Sequence, residues 1–500
     1  MSNYISTRGN TEAVGALTAI RRGIAPDGGL YLPESLPVLN LDQILALAPL
    51  SYPERAETLL ALFLPELDRT QLRSMLDLAY GPQWDTPHIA PIRAFDKLAF
   101  LELWHGPTCA FKDLALQLLP YLLTAAAAHA GSTAEIVILV ATSGDTGKAA
   151  LAGFADVPGT RIIVFYPQQG VSSVQERQMV TQAGGNVHVI AVQGNFDDAQ
   201  SGVKAIFTDA RLLAALARAN KEFSSANSIN WGRLVPQIVY YFSGYLDMVA
   251  KGLVAAGEPI NVVVPSGNFG NILAAHYARR MGLPLARLIC ASNRNRVLTD
   301  FLRTGVYDRN RPFYRTSSPS MDILVSSNVE RLLFELAERD NNQVRAWQEA
   351  LSRSGRYELS PPQRERLQTE FWGGFADEEA TRAAIARTYR ELDYVVDPHT
   401  AVGVHVYGEY VQTTGDRRPT LISSTASPFK FTRSVLTAIW EKESFPADEL
   451  DLLPILADRL QVPIPAGLAN LAGRPVLHDT ACAPADMKQL VAGILGLSQF

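Results

Sequence analysis

From about residue 93 to residue 300 the chain repeats one local pattern: a β-branched run, a glycine-containing loop, then a helical stretch. "KLAFLELW" (97–104) opens the series, and "AEIVILVATSGDTGKAALAGFA" (134–155) shows the unit in full. "RIIVFYP" (161–167) and "NVHVIAVQG" (186–194) supply further strands, and "INVVVPSGNFGNILAAHYARRMG" (260–282) repeats the whole form. Near-continuous Val and Ile runs, alternating with helical patterns, predict parallel strands covered on both faces. The fold class is therefore α/β.

A chain of 500 residues exceeds what one compact core ordinarily holds, so two or three domains are expected. Residues 1–92 hold a turn-rich opening, "APDGGLYLPESLP" (25–37), followed by helical patterns. "YGPQWDTPHIAP" (80–91) reads as a linker, because its prolines and glycine break any helix. Residues 93–440 contain the repeating core. Within them 301–390 is mostly helical, and "LDYVVDPHTAVGVHVYGEY" and "RPTLISSTASPFKF" return to a strand-and-loop style. Residues 441–500 form a helix-rich extension. A net charge of −5 with no Lys/Arg-rich tail excludes the basic stripe of a nucleic-acid binder. Three widely scattered cysteines fit a reducing compartment and exclude a disulfide framework. The eight histidines show no metal-ligand spacing, so no metal is expected. The N-terminal stretch lacks an apolar signal core, and the longest oily run is interrupted at Gln117 and Pro120, short of a membrane span. A cytoplasmic location is expected.

The loops carry the chemistry. "HGPTCAFKD" (105–113) places Lys112 behind a Gly-Pro turn, at the mouth of the oily stretch "LALQLLPYLL" (114–123). Desolvating an ammonium there is costly unless its nitrogen is used; the alternative is an ordinary snorkelling lysine. "PSGNFGN" (265–271) follows a strand and opens a helix without a positive side chain of its own. Successive N–H groups, with Gly267 and Gly270 removing the Cβ that would block approach, make an anion pocket. A tight strand-to-helix turn is the alternative, and the spacing is not the dinucleotide fingerprint. "TSGDTGK" (142–148) is not a nucleotide P-loop, since Gly147-Lys148 is followed by Ala149. Its hydroxyls at Thr142, Ser143 and Thr146 suit a carboxylate or phosphate. "NSINWGR" (227–233) combines Asn227, Ser228, Asn230 and Arg233, and arginine is the natural planar partner of a phosphate. Alone, that segment also reads as a helix cap with a surface arginine. Together the loops suit pyridoxal phosphate, which needs one lysine for an imine and one backbone nest for its phosphate. A further anion site would serve the substrate.

The chain resembles the threonine synthases of the longer microbial and fungal type, within the fold-type II pyridoxal-phosphate enzymes. The resemblance is carried, in family order, by "STRGN" (6–10), "DGGLYLP" (27–33), "HGPTCAFKD", "ATSGDTGKAA", "NSINWGR", "PSGNFGN", "DPHTAVG" (397–403) and "STASPFKF" (424–431). It implies a tryptophan synthase β-like architecture of two α/β domains with the cofactor in their cleft. The smaller, mobile domain would come from about 105–250, and an N-terminal region would precede both. Lys112 would form the imine with pyridoxal 5′-phosphate, and Gly267, Asn268, Phe269, Gly270 and Asn271 would line the cofactor-phosphate pocket. Thr425 would meet the pyridine nitrogen. Asp145 would lie near the 3′ oxygen, where many fold-type II relatives carry Asn. Ser143, Gly144 and Thr146 would hold the substrate carboxylate, while Asn227, Ser228 and Arg233 would contact the substrate phosphate, with Thr108 and Lys148 as helpers. Cys109 is assigned packing only, and His105 a buttressing place in the turn. His399 and Arg8 belong to family signatures without a chemical role.

The implied reaction converts O-phospho-L-homoserine and water to L-threonine and phosphate by γ-elimination and β-addition, carried out by a monomer with no nucleic-acid or membrane partner. One alternative is a phospholyase relative releasing 2-ketobutyrate from the same substrate. Another is a cofactor-binding pseudoenzyme, against which intact Lys112, Asn268 and Thr425 count.

Overall fold

The computed structural model describes residues 3–9, 11–142, 144–168 and 171–497. Its strands, in chain order, are β1 (Tyr4–Ser6), β2 (Tyr31–Pro33), β3 (Ile92–Phe95), β4 (Leu98–Glu102) and β5 (Glu135–Ala141). There follow β6 (Thr160–Pro167), β7 (Val187–Val192), β8 (Lys221–Ser224), β9 (Ile260–Pro265) and β10 (Leu285–Ser292). The series ends with β11 (Val306–Asp308), β12 (Arg356–Glu358), β13 (Phe371–Phe375), β14 (Thr420–Ser424) and β15 (Ala481–Cys482).

Two sheets dominate. The first has the order β13-β10-β9-β14-β4-β3 and the second the order β15-β7-β6-β5-β8. Every pairing within them is parallel except β3 with β4. The Val/Ile runs behave as their composition requires: all six residues of β9 are buried, as are the five central residues of β5. The α/β class and the parallel pairing expected from these runs are what the structure shows.

The oily stretch after Lys112 forms two short buried helices, Asp113–Leu116 and Leu119–His129. Pro120 lies in the first turn of the second, where a missing N–H leaves no bond unmade. The longer helix Trp231–Ala250 is buried along most of its length and follows directly from the "NSINWGR" motif. One expectation fails. Residues 398–414 form a single helix, Pro398–Thr414, rather than strand and loop. Asp397 caps it, accepting from the N–H groups of His399 and Thr400, and proline occupies its first turn. Val402 and Val406, one helical turn apart, join the hydrophobic cluster that contains Val263 of β9 and Ile289 of β10. Packing against the sheet overrides the β preference of the valines.

At the far end of the chain, β15 adds itself in parallel to the β7 edge of the second sheet. Among the described residues no helix is long and apolar enough to cross a membrane.

Candidate active site

Strands β9, β14 and β4 are consecutive neighbours and parallel, so their C-terminal ends emerge side by side. Loop 265–271 leaves β9, Thr425 follows β14, and the segment 105–113 follows β4. Such a row of strand ends is where open α/β sheets bind ligands. The loops are also stitched together directly. Phe111 donates its N–H to the Thr425 carbonyl at 2.9 Å, and Ser427 donates to the Cys109 carbonyl at 3.0 Å. The second sheet contributes the turn after β5, which brings in Asp145.

Lys112 is buried, as its position at the helix mouth requires. Its Nζ lies 3.2 Å from Ser320 Oγ and 3.5 Å from Asp145 Oδ2. Burial, opposed by Asp145 and reinforced by the charges of Lys430 and Arg233, lowers its pKa from the ordinary ammonium range. Asp145 accepts from Gln175 Nε2 at 2.8 Å and from Ser320 Oγ at 3.3 Å, and its Oδ1 is 2.8 Å from Lys430 Nζ. Burial works against its charge, but the two lysines outweigh that and hold the carboxyl well below the usual range. His399, which the sequence left without a role, anchors the segment above. Its Nδ1 is 2.6 Å from Asp397 Oδ2, and its Nε2 accepts the Ser320 N–H at 3.2 Å.

The loop 265–271 has the close approach its glycines predict. A Cβ on Gly267 would stand 2.4 Å from the Ser320 carbonyl oxygen. Phe269 sits in the left-handed region at φ 64°, as Cys109 does in the lysine turn at φ 59°. Each such non-glycine costs on the order of 1–3 kcal/mol and persists because its surroundings impose it. Cys109 therefore shapes the turn as well as packing, and burial pushes its thiol up to about 12. Asn271 Oδ1 accepts from the hydroxyls of Tyr240 and Tyr241 at 2.6 and 2.5 Å. Asn271 Nδ2 is buried with no hydrogen-bond partner among the described residues.

The same is true of Ser228 Oγ and Arg233 Nε. Arg233 is buried, donates from Nη1 to the Ala226 carbonyl at 2.7 Å, and is lowered to about 10 by desolvation. It is not the surface arginine of the alternative reading. Asn230 caps the helix, accepting from Gly232 N–H at 2.9 Å. Asn227 is exposed and receives the Ser228 N–H at 2.8 Å. Asn328 joins the two anion loops, donating to the Asn268 carbonyl at 3.1 Å and to the Ser228 carbonyl at 3.2 Å.

Other predicted residues fall as follows. Gly144 has φ 141°, and a Cβ there would meet Gln175 Oε1 at 2.5 Å. Thr146 lies half-buried one position past Asp145, and Lys148, buried, binds Gln182 Oε1 and is lowered to about 7 chiefly by desolvation. Thr108 turns its hydroxyl to Asp113 Oδ1 at 2.6 Å, which ties the turn rather than facing open space. Thr425 is buried, at the end of the strand that lies between β4 and β9, and its carbonyl receives the Phe111 N–H of the lysine turn. Ser143 lies outside the described residues. His105 is clasped between Asp85 Oδ1 at 2.5 Å and Glu102 Oε2 at 2.9 Å. Burial opposes its charge, but these two carboxylates raise it to about 9.

Sequence reasoning missed Ser320, Gln175, Lys430, Asn328 and Arg331. Arg331 donates to the carbonyls of Tyr31 at 2.8 Å and Ile229 at 2.6 Å, joining the N-terminal "DGGLYLP" motif to "NSINWGR". Next to it, Glu330 receives Arg8 Nε at 3.0 Å and Nη2 at 2.9 Å, which gives Arg8 a structural place. The N-terminal motifs thus brace the segment that holds both anion loops.

A buried lysine facing a strand-end cradle with orphaned donors defines the class, a fold-type II pyridoxal-phosphate-dependent enzyme. The sequence model for "Pyridoxal-phosphate dependent enzyme" matches residues 87–376. Those for "Threonine synthase N terminus" and "Threonine synthase, C-terminal" match residues 3–80 and 400–476. The chain belongs to the threonine synthase family. It is 40% identical over 452 residues to the threonine synthase of Pseudomonas aeruginosa, covering 90% of this chain and 93% of that one. It is 41% identical over 437 residues to human threonine synthase-like 1, covering 85% of this chain but only 58% of that longer protein. Among solved structures it matches the PLP-bound threonine synthase of Brucella melitensis with a TM-score of 0.87 at 36% identity over 100% of both chains. The yeast threonine synthase matches with a TM-score of 0.88 at 31% identity over 99% of each.

Proposed function

We infer that this protein is a threonine synthase of the cytoplasm that converts O-phospho-L-homoserine and water to L-threonine and phosphate. The observation that carries the reading is the pairing of two anion loops. One presents glycines and the orphaned Asn271 Nδ2, the other presents the orphaned Ser228 Oγ and Arg233 Nε, and Asn328 joins them. Two phosphate-bearing molecules account for both, whereas an enzyme without a phosphorylated substrate would leave Arg233 Nε and Ser228 Oγ buried and unanswered.

The residues fit the cofactor. Loop 265–271 would hold its phosphate through main-chain N–H groups and Asn271, Lys112 would carry its aldehyde carbon, and Thr425 would face its ring nitrogen. When bound, pyridoxal phosphate supplies an electron sink for negative charge developing beside the substrate amine. The chain's own residues do the rest. Lys112, with a lowered proton affinity, takes and returns protons at the substrate carbons. The turn at Gly144 and Thr146, with Ser143, would grip the substrate carboxylate. Ser228 and Arg233, with Asn227, would hold the phosphate and stabilise it as it departs. Thr108 would act indirectly, by fixing the turn through Asp113, and Lys148 would add positive charge. The buried, unpaired cysteines at 109, 290 and 482 suit a reducing compartment.

The test is turnover of O-phospho-L-homoserine by the reconstituted protein, with phosphate and amino-acid products measured together. Equimolar threonine and phosphate are expected. Phosphate accompanied mainly by 2-ketobutyrate would replace this reading with the phospholyase, and no turnover of the cofactor-loaded protein would overturn both.

A further inference from the structure

Lys430 is the charged member of the "STASPFKF" motif and lies outside the roles given above. Its side chain is 0% exposed, and its Nζ is 2.8 Å from Asp145 Oδ1. The same nitrogen donates to the Thr108 carbonyl at 2.9 Å, in the turn that leads to Lys112. A sealed ammonium is strongly unfavourable unless a charge answers it, and here the Asp145 carboxylate does so. The other oxygen of that carboxylate, Oδ2, faces Lys112 Nζ at 3.5 Å and Ser320 Oγ at 3.3 Å. Asp145 therefore stands between two lysines, one lining the cleft and one closed off behind it.

The wider charge environment is compact. Lys112 feels Asp145, Lys430 and Arg233; Asp145 feels Lys430, Lys112 and His399; Asp113 and Lys148 lie around Lys430. An aspartate paired with Lys112 alone would favour a protonated nitrogen at that position, which is unsuited to a base. A second ammonium sharing the same carboxylate offsets this.

We propose that Lys430 is a positioning residue: it locks Asp145 as an anion with one oxygen turned to position 112, and its positive charge holds down the proton affinity of the nitrogen there. The inference rests on the reading that Lys112 carries the cofactor.

The experiment follows the absorbance of the cofactor–Lys112 linkage in the holoenzyme across pH. In Lys430→Met the titration midpoint rises by about one pH unit, because a neighbouring positive charge has gone. Lys430→Arg, which keeps the charge, stays near the parent protein. A methionine variant that titrates like the parent overturns the proposal, as does an arginine variant displaced equally far. A parent protein with no linkage absorbance overturns the proposal together with the functional reading, whereas a normal parent and an unresponsive variant overturn the proposal alone. A second measurement covers misfolding and needs no cofactor. Asp145→Asn combined with Lys430→Met melts higher than Lys430→Met alone, or is recovered folded where the single variant is not, because the buried negative charge that the Lys430 ammonium answered is then gone as well. A double variant no better than the single one overturns the pairing.

Discussion

Around Lys112 the charges answer one another, whereas loops 227–233 and 265–271 carry buried polar atoms that have no partner among the described residues. On the lysine side, Asp145 alone engages Lys112, Lys430, Gln175 and Ser320. On the anion side, Asn271 Nδ2, Ser228 Oγ and Arg233 Nε stay open. A buried polar atom without a partner carries a desolvation penalty of about 1–3 kcal/mol, so three on two loops that Asn328 joins describe a place completed by a ligand. The satisfied side sets the reactivity of a nitrogen, and the unsatisfied side determines what is bound.

Substitutions on the two sides should therefore fail in different ways. The largest effect is expected from Lys112→Ala, which should lower turnover by about 10⁴-fold and abolish the linkage absorbance. It should leave pyridoxal phosphate binding measurable by equilibrium dialysis, and loss of all binding would erase the distinction between the sides. Arg233→Lys comes next. Its kcat/KM should fall about 10²-fold with cofactor occupancy unchanged, since an ammonium cannot replace the planar fork. Cofactor loss instead would move Arg233 into the other anion loop. Asn271→Ala should weaken cofactor affinity by about tenfold while saturated turnover stays close to the parent, as titration with added cofactor would show.

The smallest effect concerns His105, on the charge-satisfied side. Its pKa in the folded protein is raised to about 9 by Asp85 and Glu102 against the opposing effect of burial, from an unfolded value near 6.5. A raised pKa means stability that is fully present below about 6.5 and is lost as pH climbs through 9. Melting temperatures of the parent and His105→Gln should therefore converge across that interval, by the equivalent of about 3 kcal/mol. Taking the difference removes the opposite trend from Lys148, whose lowered pKa makes it costly to bury at low pH. Parallel melting curves would show that His105 is neutral in its clasp.

The parts of the site that were legible in the sequence are those built from neighbours along the chain. Glycines and successive N–H groups at 265–271 form a pocket within a few residues, and a lysine between a Gly-Pro turn and an oily helix announces its own desolvation cost. The partners that tune Lys112 come from afar: Ser320 is 208 positions away, and Lys430 lies 322 positions from the Thr108 carbonyl it binds. No local pattern encodes such meetings, although a lysine between two phenylalanines in "PFKF" could have been flagged on the same grounds as Lys112. The α/β class followed from unbroken Val/Ile runs. The same logic misread 398–414, where valines spaced one turn apart pack as helix on sheet and Asp397 supplies the decisive cap. Strand β15, two residues long, is too short to carry a periodic signal at all.

That short strand also bears on the order in which the molecule can be completed. Ala191 donates to the Thr480 carbonyl and Gln193 to the Cys482 carbonyl, so the outer rim of the second sheet is finished by residues that leave the ribosome long after β7 itself. Until they emerge, β7 presents open backbone groups to whatever is nearby, which is the circumstance that invites pairing between nascent chains. Shortening the protein before residue 480 would make that transient exposure permanent.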